Sequence, residues 1–296
     1  MTEFLIQDDE DFRPLKDKHV IVTGASSGIG LATVKLLLEH GAFVTAGDLN
    51  AIPLEHTNLS FTITDVTSWK SLTSLFKHAV QHRPIIDHVF ANAGIGARAD
   101  YLAENLDENG DLLEPTYATL DVNLRGMLNT STLGVHYMRK LASESNSVVV
   151  TASASSFQRF RTVDYTTAKH GVLGFMRGMV PLMKAAGVPI RMNAIAPSWT
   201  ATGLVPDFVL QKAGAALQYP EPVARSVALL MADSGRNGQL IYSSEGRFKE
   251  VEDAVLLKCV KEIIGEEEIQ EDTLMKIRAV AIQMRKEAEE KAHEAA

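Results

Sequence analysis

The chain has 296 residues, 46% of them hydrophobic, and a net charge of −8. Its length suffices for one large α/β domain or two small ones, and its single cysteine excludes a disulfide framework and a cysteine-based zinc cluster. The lack of a basic patch argues against a nucleic-acid partner, and no apolar run is long enough for a membrane span. Without a signal-peptide pattern or paired histidine spacing, we expect a cytoplasmic protein with no metal site.

Short apolar runs alternate with helical stretches along the chain. The predicted strands cover residues 20–23, 43–46, 60–63, 88–91, 148–151, 190–195 and 240–242. The predicted helices cover residues 29–40, 68–81, 115–140, 165–186 and 222–233. Repeated strand–helix alternation is typical of a parallel sheet with helices on both faces. We therefore predict an α/β fold with a doubly wound parallel sheet, a Rossmann fold, in a single domain at residues 16–248.

Three glycines, Gly24, Gly28 and Gly30, follow the first predicted strand. Glycine lowers the stability of helix and strand interiors, so these positions need a backbone reason. They lie where strand 20–23 turns into helix 29–40, and there backbone N–H groups and the positive end of the helix dipole face outward. This arrangement favours a phosphate-binding turn. A turn that only lets the helix pack closely on the sheet is the alternative.

Asp48 follows the second predicted strand, eighteen residues after Gly30. A carboxylate there accepts hydrogen bonds from the hydroxyls of an adenosine ribose, although Asp is also a common turn residue. Together with the glycine turn it predicts an adenine dinucleotide whose diphosphate lies over residues 28–30. A carboxylate repels the 2′-phosphate of NADP, and residues 26–27 and 49–51 include no compensating cation. We therefore expect NAD to be preferred to NADP.

Tyr165 and Lys169 lie four residues apart at the start of a predicted helix, so their side chains share one face. A phenol titrates near pH ~10, and a nearby ammonium lowers this pKa, which makes Tyr165 a usable acid/base. Pairs at this spacing also occur by chance with a solvated lysine. Here the pair follows strand 148–151, at the sheet edge where ligands bind. Ser153 is placed to donate a hydrogen bond to a substrate oxygen.

Five motifs occur in a fixed order: TGASSGIG from Thr23, ANAG from Ala91, DVNL from Asp121, YTTAK from Tyr165 and NAIAPS from Asn193. Through them the chain resembles the classical short-chain dehydrogenase/reductase family, and it is most similar to the branch that includes 15-hydroxyprostaglandin dehydrogenase. The resemblance implies NAD or NADP as cofactor. It also implies reversible hydride transfer between a small-molecule secondary alcohol and a ketone.

The resemblance also implies roles for individual residues. Tyr165 is the acid/base, and Lys169 lowers its pKa and holds the nicotinamide ribose. Ser153 orients and polarises the carbonyl oxygen, and Asn123 holds a water that links Lys169 to solvent. The implied cofactor contacts are Gly24, Ser26, Ser27, Gly28, Ile29, Gly30, Asp48, Leu49, Asp65, Val66, Asn92, Ala93, Gly94, Tyr165, Lys169, Pro197, Thr200 and Thr202.

Two positions depart from the family pattern. One residue fewer than usual separates Ser153 from Tyr165, and Ser155 and Ser156 lie nearby. We attribute this to a deletion in the loop before Tyr165. In addition, Ser198 stands where the family has a glycine, which is tolerable if that backbone keeps a negative φ.

Two other function classes fit less well. An extended-type epimerase or dehydratase shares the Tyr–Lys pair, but it spaces its glycines as GxxGxxG and carries a larger C-terminal substrate domain. A non-catalytic dinucleotide sensor is expected to lack Tyr165, Lys169 or Ser153, and all three are present. We therefore expect an active oxidoreductase.

Aromatic residues predict the nature of the substrate. Phe157, Phe160 and Trp199 border the predicted cleft, which favours an apolar or aromatic alcohol or ketone. Arg159 and Arg161 lie in the same loop. They are either solvated at the rim of the cleft or in contact with a carboxylate of the substrate, and both alternatives stay open.

The two long predicted helices carry more apolar and small residues than one sheet face needs. Within helix 165–186 these residues include Gly171, Leu173, Phe175, Met176 and Met179. Such a surplus predicts a face shared with a symmetry mate, and the family resemblance points the same way. We expect a homodimer or homotetramer.

Two segments lie outside the alternation of strands and helices. Residues 96–114 form a polar loop, either a substrate lid or a surface excursion. Residues 249–296 form an acidic helical extension with an apolar stripe, which either packs on its own domain, frays in solvent or binds a partner. The stripe consists of Leu274, Ile277, Ala281, Met284 and Ala288.

Overall fold

The computed structural model describes residues 2–142, 145–265 and 268–294. The chain divides into two compact units, Met1–Glu252 and Asp253–Ala296. A nine-stranded sheet in the order β1-β9-β8-β7-β6-β5-β2-β3-β4 forms the centre of the first unit. The strands are β1 (Glu3–Phe4), β2 (His19–Thr23), β3 (Phe43–Asp48), β4 (Leu59–Ile63), β5 (His88–Ala91), β6 (Ser147–Thr151), β7 (Arg191–Pro197), β8 (Leu240–Ser244) and β9 (Arg247–Glu250).

Helices cover the sheet and form the second unit. The α-helices are α1 (Asp8–Asp11), α2 (Gly28–Glu39), α3 (Trp69–His82), α4 (Ala118–Leu120), α5 (Met127–Met138), α6 (Val163–Ala185), α7 (Asp207–Lys212), α8 (Pro220–Ala232), α9 (Leu257–Ile264) and α10 (Glu268–Glu294). The 3-10 turns are Arg13–Leu15, Arg139–Leu141 and Ala154–Ser156, and the π-helical turns are Asp121–Gly126 and Glu252–Leu256.

The predicted doubly wound sheet is confirmed, with one correction at its edge. Strands β2 to β8 pair in parallel, but β9 runs antiparallel to β8, and β1 runs antiparallel to β9. Between β8 and β9, Glu245 has φ 50° and Gly246 has φ 74°. Two consecutive positive φ values are typical of a tight hairpin turn, and such a turn forces the next strand to be antiparallel.

The sheet is buried because both of its faces are covered. All five residues of β2 are buried, as are all seven of β7. Helix α2 packs against α8 beside the sheet, and Val34 and Leu37 of α2 belong to the same core cluster as Val227 of α8. The polar carboxyl ends of the strands are therefore the part of the sheet left for ligands.

The long helix predicted over residues 115–140 is interrupted. It begins at Ala118, passes through the π-helical turn Asp121–Gly126 and continues as α5. At the turn Asn123 is buried, and its amide bonds the backbone of Ile95. The π turn is thus tied to the loop that follows β5, and helical periodicity alone did not predict it.

The C-terminal unit is helical, as expected. The predicted apolar stripe lies on α10, and its five side chains are exposed. Within the described ranges, no helix is long and apolar enough to cross a membrane.

Candidate active site

Close contacts and positive φ angles require the three glycines after β2. A Cβ at Gly24, which has φ +68°, would lie 2.7 Å from the Cα of Ala93. At Gly30 it would collide with the carbonyl oxygen of Gly24, and at Gly28 it would lie 3.0 Å from the Cγ2 of Thr202. The turn therefore folds tightly on itself and leaves the N-terminus of α2 open to the space beside it.

That space is a cavity of about 410 Å³ at the carboxyl ends of the parallel strands. Fourteen of the predicted site residues line it: Gly24, Ser27, Gly28, Ile29, Asp48, Leu49, Asp65, Val66, Asn92, Ala93, Gly94, Tyr165, Lys169 and Thr202. Sequence reasoning assigned no role to other lining residues, which include Asn50, Thr64, Ile95, Gly96, Arg98, Val122, Thr151, Gly203 and Leu204. In the sequence, Ile95 and Thr151 could have been identified as site residues by their position next to a motif or a predicted strand end.

Four predicted cofactor residues, Ser26, Gly30, Pro197 and Thr200, are not among the residues that line the cavity. Thr200 is buried, and its hydroxyl donates to the carbonyl of Ser198 at 2.9 Å and accepts from Gln218 at 3.2 Å. Thr200 therefore supports the loop that carries Thr202. Among the described non-glycine residues only Asp17 and Glu245 have positive φ, so Ser198 fits where the family has glycine.

Asp48 is held at the end of β3 by backbone groups. Its Oδ2 accepts from the amide N–H of Ser26 at 3.0 Å, and its Oδ1 accepts from that of Asn50 at 2.9 Å. The carboxylate thus has a fixed position between the glycine turn and the strand end. Among the described residues that line the cavity, the basic ones are Arg98 and Lys169.

Asn92 joins three strand ends beneath the cavity. Its Nδ2 donates to the carbonyl oxygens of Thr23 and Gly24, each at 3.2 Å, and its Oδ1 accepts from the hydroxyl of Thr151 at 3.1 Å. Since Thr23 ends β2 and Thr151 ends β6, this one side chain fixes the spacing of the strands around the site.

Lys169 and Tyr165 meet at the inner end of the cavity. The Nζ of Lys169 donates to the carbonyl of Thr151 at 2.7 Å and lies 5.6 Å from the centre of the Tyr165 ring. Burial lowers the pKa of Lys169 to about 8. Burial also raises the pKa of the Tyr165 phenol, and its hydrogen bond with Ser153 opposes this only in part. The phenol pKa is therefore raised and not lowered as expected from Lys169, and Tyr165 is neutral at pH 7.

The three neighbouring serines have different surroundings. Ser153 bonds Tyr165, while Ser155 and Ser156 are buried. The hydroxyl of Ser156 donates to the carbonyl of Lys169 at 2.7 Å. Ser153 is thus the serine beside the phenol, in agreement with a deletion in the loop between Ser153 and Tyr165.

Both polar groups of the Asn123 side-chain amide form hydrogen bonds with the loop after β5. Its Oδ1 accepts from the N–H of Ile95 at 2.7 Å, and its Nδ2 donates to the carbonyl of Ile95 at 2.8 Å. The side chain therefore positions this loop, and the water predicted at Asn123 stays a prediction.

In the part of the chain that the structure describes, no three His, Cys, Asp or Glu side chains are grouped to hold a metal ion.

Comparisons with known proteins agree with this geometry. Residues 18–212 match the model of the short chain dehydrogenase family. The chain is 46% identical to the short-chain dehydrogenase/reductase ascJ of Acremonium egyptiacum, over 94% of this chain and 96% of the relative. It is 30% identical to the 5′-hydroxyaverantin dehydrogenase of Dothistroma septosporum, over 66% of this chain and 71% of the relative.

Solved structures show the same fold. The aldohexose dehydrogenase of Thermoplasma acidophilum superimposes with a TM-score of 0.66 at 25% identity, over 79% of this chain and 95% of that one. The glycine turn, the cavity and the Tyr–Lys pair thus occur together in a chain whose sequence and fold both match one family. The chain belongs to the short-chain dehydrogenase/reductase family of oxidoreductases, whose members bind NAD or NADP.

Proposed function

We propose that the protein interconverts a secondary alcohol and a ketone, with Tyr165 as the acid/base. The observation that carries this proposal is that the phenol, Lys169 and the glycine turn share one cavity. The dinucleotide, when bound, supplies or accepts the hydride. The protein's own residues then have to hold the substrate oxygen and move one proton.

The ionisation state of Tyr165 suits proton donation. In the reductive direction its neutral phenol donates a proton to the oxygen that was the ketone's, and the hydroxyl of Ser153 donates a hydrogen bond to the same oxygen. The phenolate that results is stabilised by the ammonium of Lys169, whose Nζ lies 5.6 Å from the ring centre. In the oxidative direction the same groups act in reverse.

The cavity fits a dinucleotide, and we propose NAD. The N–H groups at the start of α2 would hold its diphosphate, and Asp65 and Val66, which line the cavity, would flank the adenine. Asp48 would accept from the ribose hydroxyls, and its fixed carboxylate disfavours a 2′-phosphate. The ratio of kcat/KM for NAD and NADP on one alcohol tests this choice, and an advantage of about tenfold for NADP would contradict it.

Aromatic side chains support an apolar or aromatic substrate. Phe160 and Trp199 pack edge to face with ring centres 6.0 Å apart, and Phe157 and Tyr242 do so at 6.2 Å. Phe157, Phe160 and Trp199, which were expected to border the cleft, are not among the residues that line the cavity, and Trp199 is 44% exposed. One relative is named for oxidising 5′-hydroxyaverantin, which agrees with a hydroxyl-bearing substrate. The closer likeness to the 15-hydroxyprostaglandin dehydrogenase branch stays a prediction.

A panel of aromatic and aliphatic ketones and secondary alcohols tests the function. Turnover is followed by nicotinamide absorbance with both cofactors, and NADH affinity is measured separately by fluorescence. We expect NADH-dependent reduction of at least one aromatic ketone. NADH binding without any turnover would contradict the proposal and favour a dinucleotide sensor.

We propose a homodimer or homotetramer that uses the outer face of α6. Leu173 and Met176, counted in the predicted surplus, are buried within the chain and do not contribute to a face shared with a second copy. Gly174 and Gly178 are exposed, and a Cβ at either would meet nothing within 4 Å, which leaves room for a second helix. Light scattering that gives 32.3 kDa at micromolar concentration would contradict this.

The predicted catalytic domain at residues 16–248, the extension at residues 249–296 and the cytoplasmic location stay proposals. Deleting residues 253–296, which leaves strand β9 whole, and measuring turnover and NADH affinity tests the division. We expect both values to be retained by residues 1–252, because every predicted site residue lies before residue 249.

A further inference from the structure

Asp164, the residue before Tyr165, is a buried carboxylate with three backbone partners. It is 1% exposed and lies in the first turn of α6. Its Oδ1 accepts from the N–H of Tyr165 at 2.8 Å. Its Oδ2 accepts from the N–H of Arg98 at 2.8 Å and from that of Ala99 at 3.0 Å. One side chain therefore joins the turn that carries the phenol to a loop 66 positions earlier in the chain.

That loop, residues 95–99, is here termed the cleft segment because Ile95, Gly96 and Arg98 line the cavity. A Cβ at Gly96 would lie 3.4 Å from the Cδ1 of Leu204, so the cleft segment meets the loop on the other side of the cavity. The cleft segment has no regular secondary structure. Its conformation must therefore be set by side chains from elsewhere.

Two further side chains hold the cleft segment. Asn123 exchanges two hydrogen bonds with Ile95, and the hydroxyl of Thr119 donates to the carbonyl of Gly96 at 3.1 Å. These two side chains bond Ile95 and Gly96. The N–H groups of Arg98 and Ala99 bond Asp164, so loss of the Asp164 carboxylate would release the part of the cleft segment that follows Gly96.

Asp164 is ionised at neutral pH. Burial acts to raise the pKa of its carboxyl, but hydrogen bonds from the N–H groups of Arg98, Ala99 and Tyr165 and from the Thr119 side chain together outweigh it and leave the pKa below its usual value. Hydrogen bonds to a charged group are stronger than hydrogen bonds between neutral groups. The link between α6 and the cleft segment is thus stronger than one made by a neutral acceptor.

We propose that Asp164 is a positioning residue for the substrate cleft, which fixes the cleft segment at a set distance from Tyr165. The inference rests on the proposed function, since it concerns the site of the same reaction. Asp164 acts through backbone groups and does not act on the reacting atoms. Its loss leaves the phenol, Ser153 and Lys169 in place and loosens one wall of the cavity.

Asp164→Asn tests this with the smallest change in shape. One side of the new amide carries an NH₂ group, which faces either the N–H of Tyr165 or those of Arg98 and Ala99, and cannot accept from them. Asp107→Asn is the matched control: Asp107 accepts from the N–H groups of Asn109 and Asp111 in an exposed turn of the same long loop. Asp164→Ala removes all three bonds.

Hydrogen exchange of the full-length protein gives the first measurement. In Asp164→Asn we expect peptides covering the cleft segment to exchange at least about tenfold faster, while peptides covering β5 and β6 are unchanged. With the best aromatic ketone of the panel, we expect KM to rise about tenfold and kcat to change less than about threefold. In Asp164→Asn, NADH affinity should stay within about twofold of the unaltered protein. In Asp107→Asn, all of these values should stay within about twofold.

Unchanged exchange in the cleft segment, or unchanged KM, would overturn the proposal. A joint fall of thermal stability, kcat and NADH affinity would also overturn it, because that pattern belongs to a purely structural carboxylate. If Asp164→Ala does not fold, Asp164→Asn decides. If the unaltered protein reduces no ketone, the proposed function fails, and hydrogen exchange alone decides whether Asp164 fixes the cleft segment.

Discussion

The cavity has two halves that are built differently: the proposed dinucleotide half at the glycine turn and the proposed substrate half beside Tyr165 and the cleft segment. Around the glycine turn and Asp48 the contacts are close and mostly involve the backbone: the N–H of Ser26 donates to the carboxylate of Asp48, and Gly30 packs on the carbonyl oxygen of Gly24. In the substrate half, isolated side chains bridge distant segments, as Asp164 bridges α6 and the cleft segment. Apart from Asn92, which bridges three strand ends, the first half depends on contacts close to the glycine turn, and the second half depends on contacts between distant segments.

The largest effect that separates the halves is expected from Tyr165→Phe. It removes the proton donor but keeps the ring, so we expect kcat to fall at least ~10²-fold while NADH affinity stays nearly constant. Stopped-flow reduction and NADH fluorescence titration measure the two values. Near-normal rates on any good substrate would exclude Tyr165 as the acid/base.

Gly30→Ala acts on the other half. The new methyl group would collide with the carbonyl oxygen of Gly24 and lie 2.8 Å from the Nδ2 of Asn92. We expect the free energy of unfolding to fall by about 1–3 kcal/mol, with loss of NADH binding, as urea titration and fluorescence would show.

Gly174→Ala is the control for this change. Gly174 also lies in a helix, but a Cβ there meets nothing within 4 Å. We expect it to stabilise the monomer fold by about 0.5–1 kcal/mol. Equal destabilisation by both substitutions would show that the tight turn at Gly30 has no special role.

The same contrast explains what the sequence could predict. Strand–helix alternation and the glycine turn depend on local residue types, so the Rossmann fold and the family were predicted and are confirmed. The antiparallel β9 was not predicted, because its run RFKE is short and charged and only its hairpin turn defines it. The π-helical turn was not predicted either; its Asn123 bonds Ile95, 28 positions away, a contact that helical periodicity does not reveal.

Site residues divide in the same way. Motif residues such as Gly28, Asp48 and Lys169 line the cavity where they were placed from sequence. Asp164 was given no role from the sequence, because its partners Arg98 and Ala99 follow no recognisable pattern. Burial of a charged side chain is the property that identifies it, and burial is known only from the fold.

Asp48→Ala sharpens the comparison within the dinucleotide half. It removes the acceptor for the ribose hydroxyls and the charge that repels a 2′-phosphate, so NAD should weaken more than NADP. We expect the kcat/KM ratio of NAD to NADP to fall about tenfold. Asp65→Asn is the comparison, since Asp65 lines the cavity but bonds Thr67. An unchanged ratio in Asp48→Ala would remove Asp48 from cofactor selection.

The smallest expected effect is a pH dependence from Lys169. Burial lowers the pKa of this ammonium to about 8, so kcat/KM for NADH, which reports on the free enzyme, should be flat near pH 7 and halve at about pH 8. Unfolding does not explain such a loss. Between about pH 8 and the usual lysine value, the unfolded chain binds a proton at Lys169 that the folded chain does not, so this group makes the fold more stable as pH rises. Lys169→Met should be slower throughout and show no break near pH 8. A break that persists in Lys169→Met would assign the titration to another group.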